Sequence, residues 1–466
     1  MIAHNTVLTN GNSRFSLETR WAAVEFRNNL TDAPYRGRDG GTFVESENVA
    51  SAVPEMFVNP SALDLRLLDT PLTRLLVIDR AVAGYAATDW TGAARPVGDG
   101  PDVGAAEFSA APLPPPTFPP PPASPPPPAP APCPAAPQPV MVGGAPDGSV
   151  RSVGMDGSVS SLSPFGNTGT ATRTATADVD ADGVADLVAV TGPGTPLRVA
   201  VLSGADGSVL VAPFDPFGGN FLGGGYVAAA DLDRDGRAEF VVTPDQGGGP
   251  RVTVFGRGAD GTTTVRANFL GIDDASFRGG ARAALGDVNA DGTPDVVVAA
   301  GFGGGPRTAV FAGQSVLAGS PARLVADFFA FPGSDALNLR NGSFVAVGDV
   351  TGDGYADLVF GGGPGGAPRV FILSGALVSA GDVAGAQAAP VANFFAGGDL
   401  SDRGGARVGV TRADADGRAD VVVGSGAGRP AGVRVYLGKD FASGEPAVQL
   451  LDPLGGAVLA DGVYVG

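Results

Sequence analysis

From residue 140 to the end, short apolar runs alternate with Gly-rich polar turns. The strongest runs are Leu187-Val-Ala-Val190, Phe240-Val-Val242, Val296-Val-Val298, Leu358-Val-Phe360 and Val421-Val-Val423. They are short, β-branched and bounded by turn residues, which predicts buried strands. Each follows directly on an acidic turn of nine residues, and the first positions of these turns fall at 178, 231, 287, 349 and 412. Two more patterns recur after each strand. One is Gly247-Gly-Gly-Pro250-Arg251, repeated as Gly303-Gly-Gly-Pro306-Arg307 and Gly365-Gly-Ala-Pro368-Arg369. The other is an aromatic strand end at Phe214 and Phe217, at Phe328 and Phe331, and at Phe394-Phe395. Each repeat thus holds about four strands in roughly 55 residues, the signature of a propeller blade.

The ends set the number of blades. Gly462-Val-Tyr464-Val465-Gly466 matches the strand before an acidic turn, and Val140-Met-Val142-Gly-Gly144 matches the strand after one. Joined, they complete a sixth blade from both ends of the segment. The predicted fold is all-β, a six-bladed β-propeller over 140–466 closed by N- and C-terminal strands.

The acidic turns carry the candidate chemistry. The first has Asp178, Asp180 and Asp182 at positions 1, 3 and 5, Gly183 at 6, Val184 at 7 and Asp186 at 9. Carboxylates at alternate positions of a Gly-kinked turn, with the position 7 carbonyl, make the oxygen cage that Ca²⁺ prefers. The second offers Asp231, Asp233, Asp235, Arg237 (by its carbonyl) and Glu239, and the third Asp287, Asn289, Asp291, Thr293 and Asp295. The fourth offers Asp349, Thr351, Asp353, Tyr355 and Asp357, with a neutral, poorer ligand at position 3. The fifth has Arg412 at position 1 and keeps Asp414, Asp416 and Asp420. A cation beside that cage weakens it, or stands in for the ion. The expectation is about four Ca²⁺ sites and a degenerate fifth, the ion holding the hairpin together. Asp, Asn and Gly are also good turn formers without a metal, and the fivefold repetition favours the cage. EF-hands are excluded, since position 12 (Ala189, Val242, Val298, Phe360) sits in a strand where an EF-hand needs a Glu.

This repeat resembles the FG-GAP or VCBS family, including the propeller of integrin α chains. Phe165-Gly166, Phe217-Gly218, Gly144-Ala145-Pro146 and Gly366-Ala367-Pro368 are literal pieces of its pattern. The resemblance implies one Ca²⁺ between the first two strands of each intact blade. It also implies an adhesion or interaction module that is extracellular or at a cell surface and is not itself an enzyme.

Residues 1–111 read differently. Ile2 to Leu8, Phe15 to Thr19 and Val24 to Leu30 are strand patterns about 15 to 20 residues apart, which suits rungs of a solenoid. Asn at a strand end can bond to the next rung. On His4-Asn5-Thr6, Arg27-Asn28-Asn29-Leu30, Arg38-Asp39-Gly40 and the tail Asp89 to Phe108, this stretch resembles the C-terminal end of right-handed parallel β-helix proteins, a group with many polysaccharide lyases. The chain begins inside a rung, so a truncated protein or gene product, with its catalytic part missing, is the expectation. His4 is the only histidine, which rules out a multi-histidine site, and it reads as a rung side chain. Asp102 and Glu107 could be imagined as a glycosidase pair, but read as structural.

Between the two lies a proline-rich linker, 112–139, predicted as an extended polyproline II spacer. It holds Cys133, the only cysteine, so no disulfide within the chain is possible. The net charge of −18 disfavours nucleic acid and suits cations. No apolar run is long enough to span a membrane, and the first residues lack the basic and apolar regions of a signal peptide. The partner is expected to be a protein or glycan at a cell surface. Two other readings stay open: an accessory domain of a polysaccharide-degrading β-helix enzyme, and a glycan-binding propeller. Both tryptophans, Trp21 and Trp90, fall outside the propeller, which weakens the last.

Overall fold

The computed structural model describes residues 2–8, 16–20, 23–59, 64–89, 94–96, 99–108, 137–333, 335, 339–397, 399, 401–443, 446 and 448–466. Cys133, both tryptophans and the linker up to residue 136 lie outside these. The chain divides into two compact units, 1–123 and 124–466.

The second unit is a six-bladed β-propeller. Five blades are four-stranded antiparallel meanders in sequence order, their innermost strands being Thr172–Ala177, Gly225–Ala230, Ala281–Gly286, Ser343–Gly348 and Arg407–Thr411. The sixth is shared. Its innermost strand is Tyr464–Val465, paired antiparallel with Val140–Gly143 in the register Val142↔Val465 and Gly143↔Tyr464, and Val150–Val153 and Val159–Leu162 complete it. The closure expected from the two ends is therefore present.

The second strands are the apolar runs read above: Asp186–Thr191, Glu239–Pro244, Asp295–Ala300 and Asp357–Gly362 are buried along their whole length. A strand with neighbouring blades on both faces has no polar side to show, so its sequence loses alternation. The aromatic strand ends staple blade to blade. Phe214 meets Phe255 of the next blade at 5.2 Å, Phe269 meets Phe311 at 4.8 Å, and Phe394 meets Tyr436 at 4.8 Å. Each such ring pair adds about 1 kcal/mol beyond its area. The Gly-Gly-Pro-Arg arginines open the third strands and tie them to the fourth, as in the Arg307 to Asp327 ion pair of 2.7 Å and the Arg251 Nε to Asn268 bond of 2.8 Å. Packing is tight where blades six and one meet, since a Cβ on Gly143 would lie 2.1 Å from the Thr172 carbonyl.

The inner strands line a central channel. Toward their C-terminal ends its wall is Ala, Val, Thr and Gly, with Leu285. At their N-terminal ends the first or second residue alternates around the ring: Arg173, Tyr226, Arg282, Phe344, Arg407 and Tyr464. Each guanidinium lies over its aromatic neighbours, at 4.0 Å from Arg173 to Tyr226 and 4.0 Å from Arg282 to Phe344.

The first unit contains short parallel pairings. Ile2–Ala3, Ala23–Arg27 and Thr42–Ser46 form one sheet, Thr6–Val7 pairs with Leu30–Thr31, and Leu17–Arg20 pairs with Tyr35–Arg38. Asn5, Asn29 and Asn48 stack beside them. The backbone N–H of Asn5 donates to Asn29 Oδ1 at 3.0 Å and that of Asn29 to Asn48 Oδ1 at 2.9 Å. His4 is buried between Asn28 and Arg95, each 2.9 Å from a ring nitrogen. Glu107 pairs with Arg95 at 2.7 Å and accepts from the Asp102 N–H at 2.8 Å. Asp102 in turn accepts from the Asp79 and Phe108 N–H groups, so both carboxylates hold backbone.

Candidate metal centre

All five acidic turns join the first strand of a blade to its second, at one end of the channel. Position 9 opens the second strand and is buried in every case: Asp186, Glu239, Asp295, Asp357 and Asp420 are each at most 2% exposed. One of its oxygens accepts from the position 2 N–H, as Asp186 does from Val179 at 2.7 Å and Asp295 from Val288 at 3.1 Å. In four blades the other accepts from the Gly two residues beyond the third strand: Gly204, Gly313, Gly375 and Gly438, at 2.8 to 3.1 Å. Burial pushes these carboxyls up, to about 7 for Glu239 and Asp295 and about 6 for Asp357. Nearby loop carboxylates add to the rise. A bound cation would reverse both effects.

Position 1 winds the loop around itself. Asp178 accepts from the N–H groups of Ala181, Asp182 and Gly183, and Asp349 from those of Gly352, Asp353 and Gly354. Position 4 is thereby left-handed in four loops, at Ala181, Arg234, Ala290 and Gly352, and position 6 is left-handed in all five. Position 5 caps its own turn: Asp182, Asp235, Asp291, Asp353 and Asp416 each accept from the position 7 N–H, that of Val184, Arg237, Thr293, Tyr355 or Arg418, at 2.7 to 2.9 Å.

Among the described residues, two acidic groups converge enough to hold one ion. Asp178, Asp180 and Asp186 bring ligand oxygens within 4.8 Å of one another, as do Asp231, Asp233 and Glu239. The position 5 carboxylates of those loops are not in these groups. Asp231 Oδ1 is buried without a hydrogen-bond partner, an acceptor free for a cation. These residues fit a hard divalent ion. The second loop, however, already has a cation: Arg266 reaches Asp233 at 2.6 Å and Glu239 at 3.4 Å. In the third, Asn289 donates to Asp291 at 3.0 Å, and in the fourth the Thr351 hydroxyl lies 3.5 Å from Asp349.

The fifth loop is built differently. The Arg412 side chain offers no acceptor, and Ala415 at position 4 does not take the left-handed conformation. The cation at this loop is Lys439, the only lysine of the chain, 2.5 Å from Asp414, which it holds below the usual carboxylate range. Its neutralising role, like that of Arg266, is not apparent from local sequence. A lone lysine in an arginine-rich chain was the available signal.

The loops are also joined to one another. The position 8 N–H of one donates to the position 1 carbonyl of the loop before it: Ala238 to Asp178 at 2.7 Å, Ala356 to Asp287 at 2.8 Å, Ala419 to Asp349 at 2.7 Å. Pro294 has no N–H to give Asp231, and the Arg234 side chain reaches the Asp291 and Gly292 carbonyls instead. At the sixth blade, Gln138 donates to the Arg412 carbonyl at 2.8 Å.

A protein-family profile described as FG-GAP-like repeat matches residues 178–242 and 231–298. Each match starts at position 1 of a loop. No curated protein matches the sequence. Solved structures similar to this one include a protein from Lactobacillus plantarum at 13% identity, covering 71% of this chain and 99% of that one with a TM-score of 0.38. Another is the rhamnogalacturonan lyase YesW, at 14% identity, 70% and 69% coverage and a TM-score of 0.28. A rhamnogalacturonan lyase from Bacillus licheniformis follows at 13% identity, 71% and 70% coverage and 0.27. Scores this low bear on neither activity nor substrate. The chain carries FG-GAP-like repeats, built as blades of a six-bladed β-propeller.

Proposed function

We propose that residues 140–466 are a calcium-stabilised, non-catalytic propeller that acts as an adhesion or interaction module outside the cell, with a protein or glycan partner. The observation that carries this is the convergence of Asp178, Asp180 and Asp186 in a wound loop whose carboxylates form no ion pair among the described residues, the Arg237 side chain reaching the Asp180 carbonyl instead. The first loop is the strongest site, the second binds in competition with Arg266, the third and fourth are weaker, and the fifth is served by Lys439. Loops of this kind suit the millimolar calcium found outside cells, where extracellular modules bind at about 10⁻⁴–10⁻³ M. Calcium titration by calorimetry, with melting followed with and without chelator, tests the reading. Heat of binding and a higher melting temperature in calcium are expected; absence of both sinks it.

A second reading rests on the first unit. Its parallel pairings and the Asn5, Asn29, Asn48 stack support a right-handed β-helix end over 1–111, with 112–139 as linker and the propeller as accessory domain of a polysaccharide-degrading enzyme. It predicts further Asn-ended rungs of about 20 residues encoded ahead of residue 1. Unrelated sequence there would remove it.

A further inference from the structure

We propose that the channel mouth at the N-terminal ends of the inner strands binds a small oxyanion of about two negative charges, held by Arg173, Arg282 and Arg407. This end is opposite the acidic loops, so the two sites are separate. A cavity of about 550 Å³ opens here, lined by the three arginines together with Tyr226, Phe344 and Tyr464.

The three guanidinium groups are more deeply buried than their bonding accounts for. Arg173, Arg282 and Arg407 are 4%, 4% and 3% exposed, and the Nε of each is buried without a hydrogen-bond partner. Arg173 donates to the Gly225 carbonyl at 2.9 Å and the Tyr464 hydroxyl at 3.1 Å. Arg407 donates to the Gly404 carbonyl at 2.7 Å and to that of Asp461. Arg282 has one long bond, 3.4 Å to the Asn341 carbonyl. Among the described residues one carboxylate forms an ion pair with this ring: Asp245, 2.8 Å from Arg173, which Arg173 and Arg282 hold ionised against its burial. Asp461 is exposed at the rim. Three cations against one buried anion leave two positive charges in a site walled by aromatic rings. Cation–π contact offsets part of that cost but gives the N–H donors no acceptor. An oxyanion supplies acceptors and charge together, and the planar guanidinium fork matches carboxylate or tetrahedral oxyanion geometry.

The test titrates the full chain at fixed calcium with sodium sulfate or sodium malonate, against sodium chloride of equal ionic strength. A single calorimetric site and a saturable rise in melting temperature are expected, absent with chloride. Sulfate binding the tighter points to a phosphoryl or sulfate ester ligand, malonate the tighter to a carboxylate. Arg282→Gln should weaken the better anion at least tenfold, and Asp245→Asn should tighten it. Should Arg282→Gln not fold, the wild-type and Asp245→Asn titrations decide. Both anions behaving like chloride in both proteins, or equal affinity in wild type and variants, overturns the proposal.

Discussion

Asp186, Asp295, Asp357 and Asp420 each stitch three pieces of backbone together: the loop, the second strand and the turn after the third. The sequence makes position 9 legible as an acidic ligand, because spacing alone defines the cage. The double backbone attachment is not legible, since the Gly that donates to Asp186 comes 18 residues later in a turn with no motif of its own. Asp102 is a comparable case in the first unit. Burial pushes it up to about 6, with Glu107 and Asp79 adding to the rise. Its folded value lies above the unfolded one, so its contribution to stability is complete below about pH 4 and is lost as pH rises through about 6. Hydrogen exchange of residues 77–108 in the intact chain should therefore quicken from pH 4.5 to 7 beyond the intrinsic change. Asp102→Asn should flatten that extra slope; a slope unchanged in the variant would refute the assignment.

The acidic turns are where sequence reasoning reached furthest and where it stopped. Their number and their place between first and second strands follow from local spacing, and the structure has them there. What neutralises them comes from far along the chain: Arg266 lies 33 residues from Asp233, and Lys439 lies 25 from Asp414. Only the fold brings those charges together. The fifth loop should bind no calcium as it stands. Arg412→Asp combined with Lys439→Met restores the position 1 acceptor and removes the resident ammonium. Calorimetry on the double variant should count one more calcium per chain than the wild type, and an unchanged count would show that the loop is unsuitable for another reason. Lys439→Met alone should leave the melting temperature nearly unchanged, because its ion pair is exposed.

The architecture of the propeller was readable because each blade repeats the same buried strand, Gly-rich turn and aromatic end. The alternating ring of arginine and aromatic residues is not legible in the sequence, although it sits at the first or second residue of every inner strand. Its period is two blades, over a hundred residues, and no local window contains it. Closure has a measurable price in stability. Deleting 462–466 removes the inner strand of blade six and Tyr464 from the ring, exposing the Val140–Gly143 edge. The variant should melt several degrees lower and less cooperatively, and an unchanged transition would mean that the shared blade does not hold the ring.

The same strand pair decides how the molecule answers to tension. Met141 and Gly466 bond to each other in both directions, at 3.2 and 3.1 Å, so the two ends of the propeller leave from the same end of one antiparallel pair. A pull applied through those ends loads the hydrogen bonds one after another, as a zip is opened, instead of all at once in shear. Single-molecule stretching from residue 137 and residue 466 should show blade six peeling at low force before any other blade yields. Joining those two ends covalently should abolish that first event. As an adhesion module the propeller would then be a joint that gives early under load, with its five continuous blades as the part that endures.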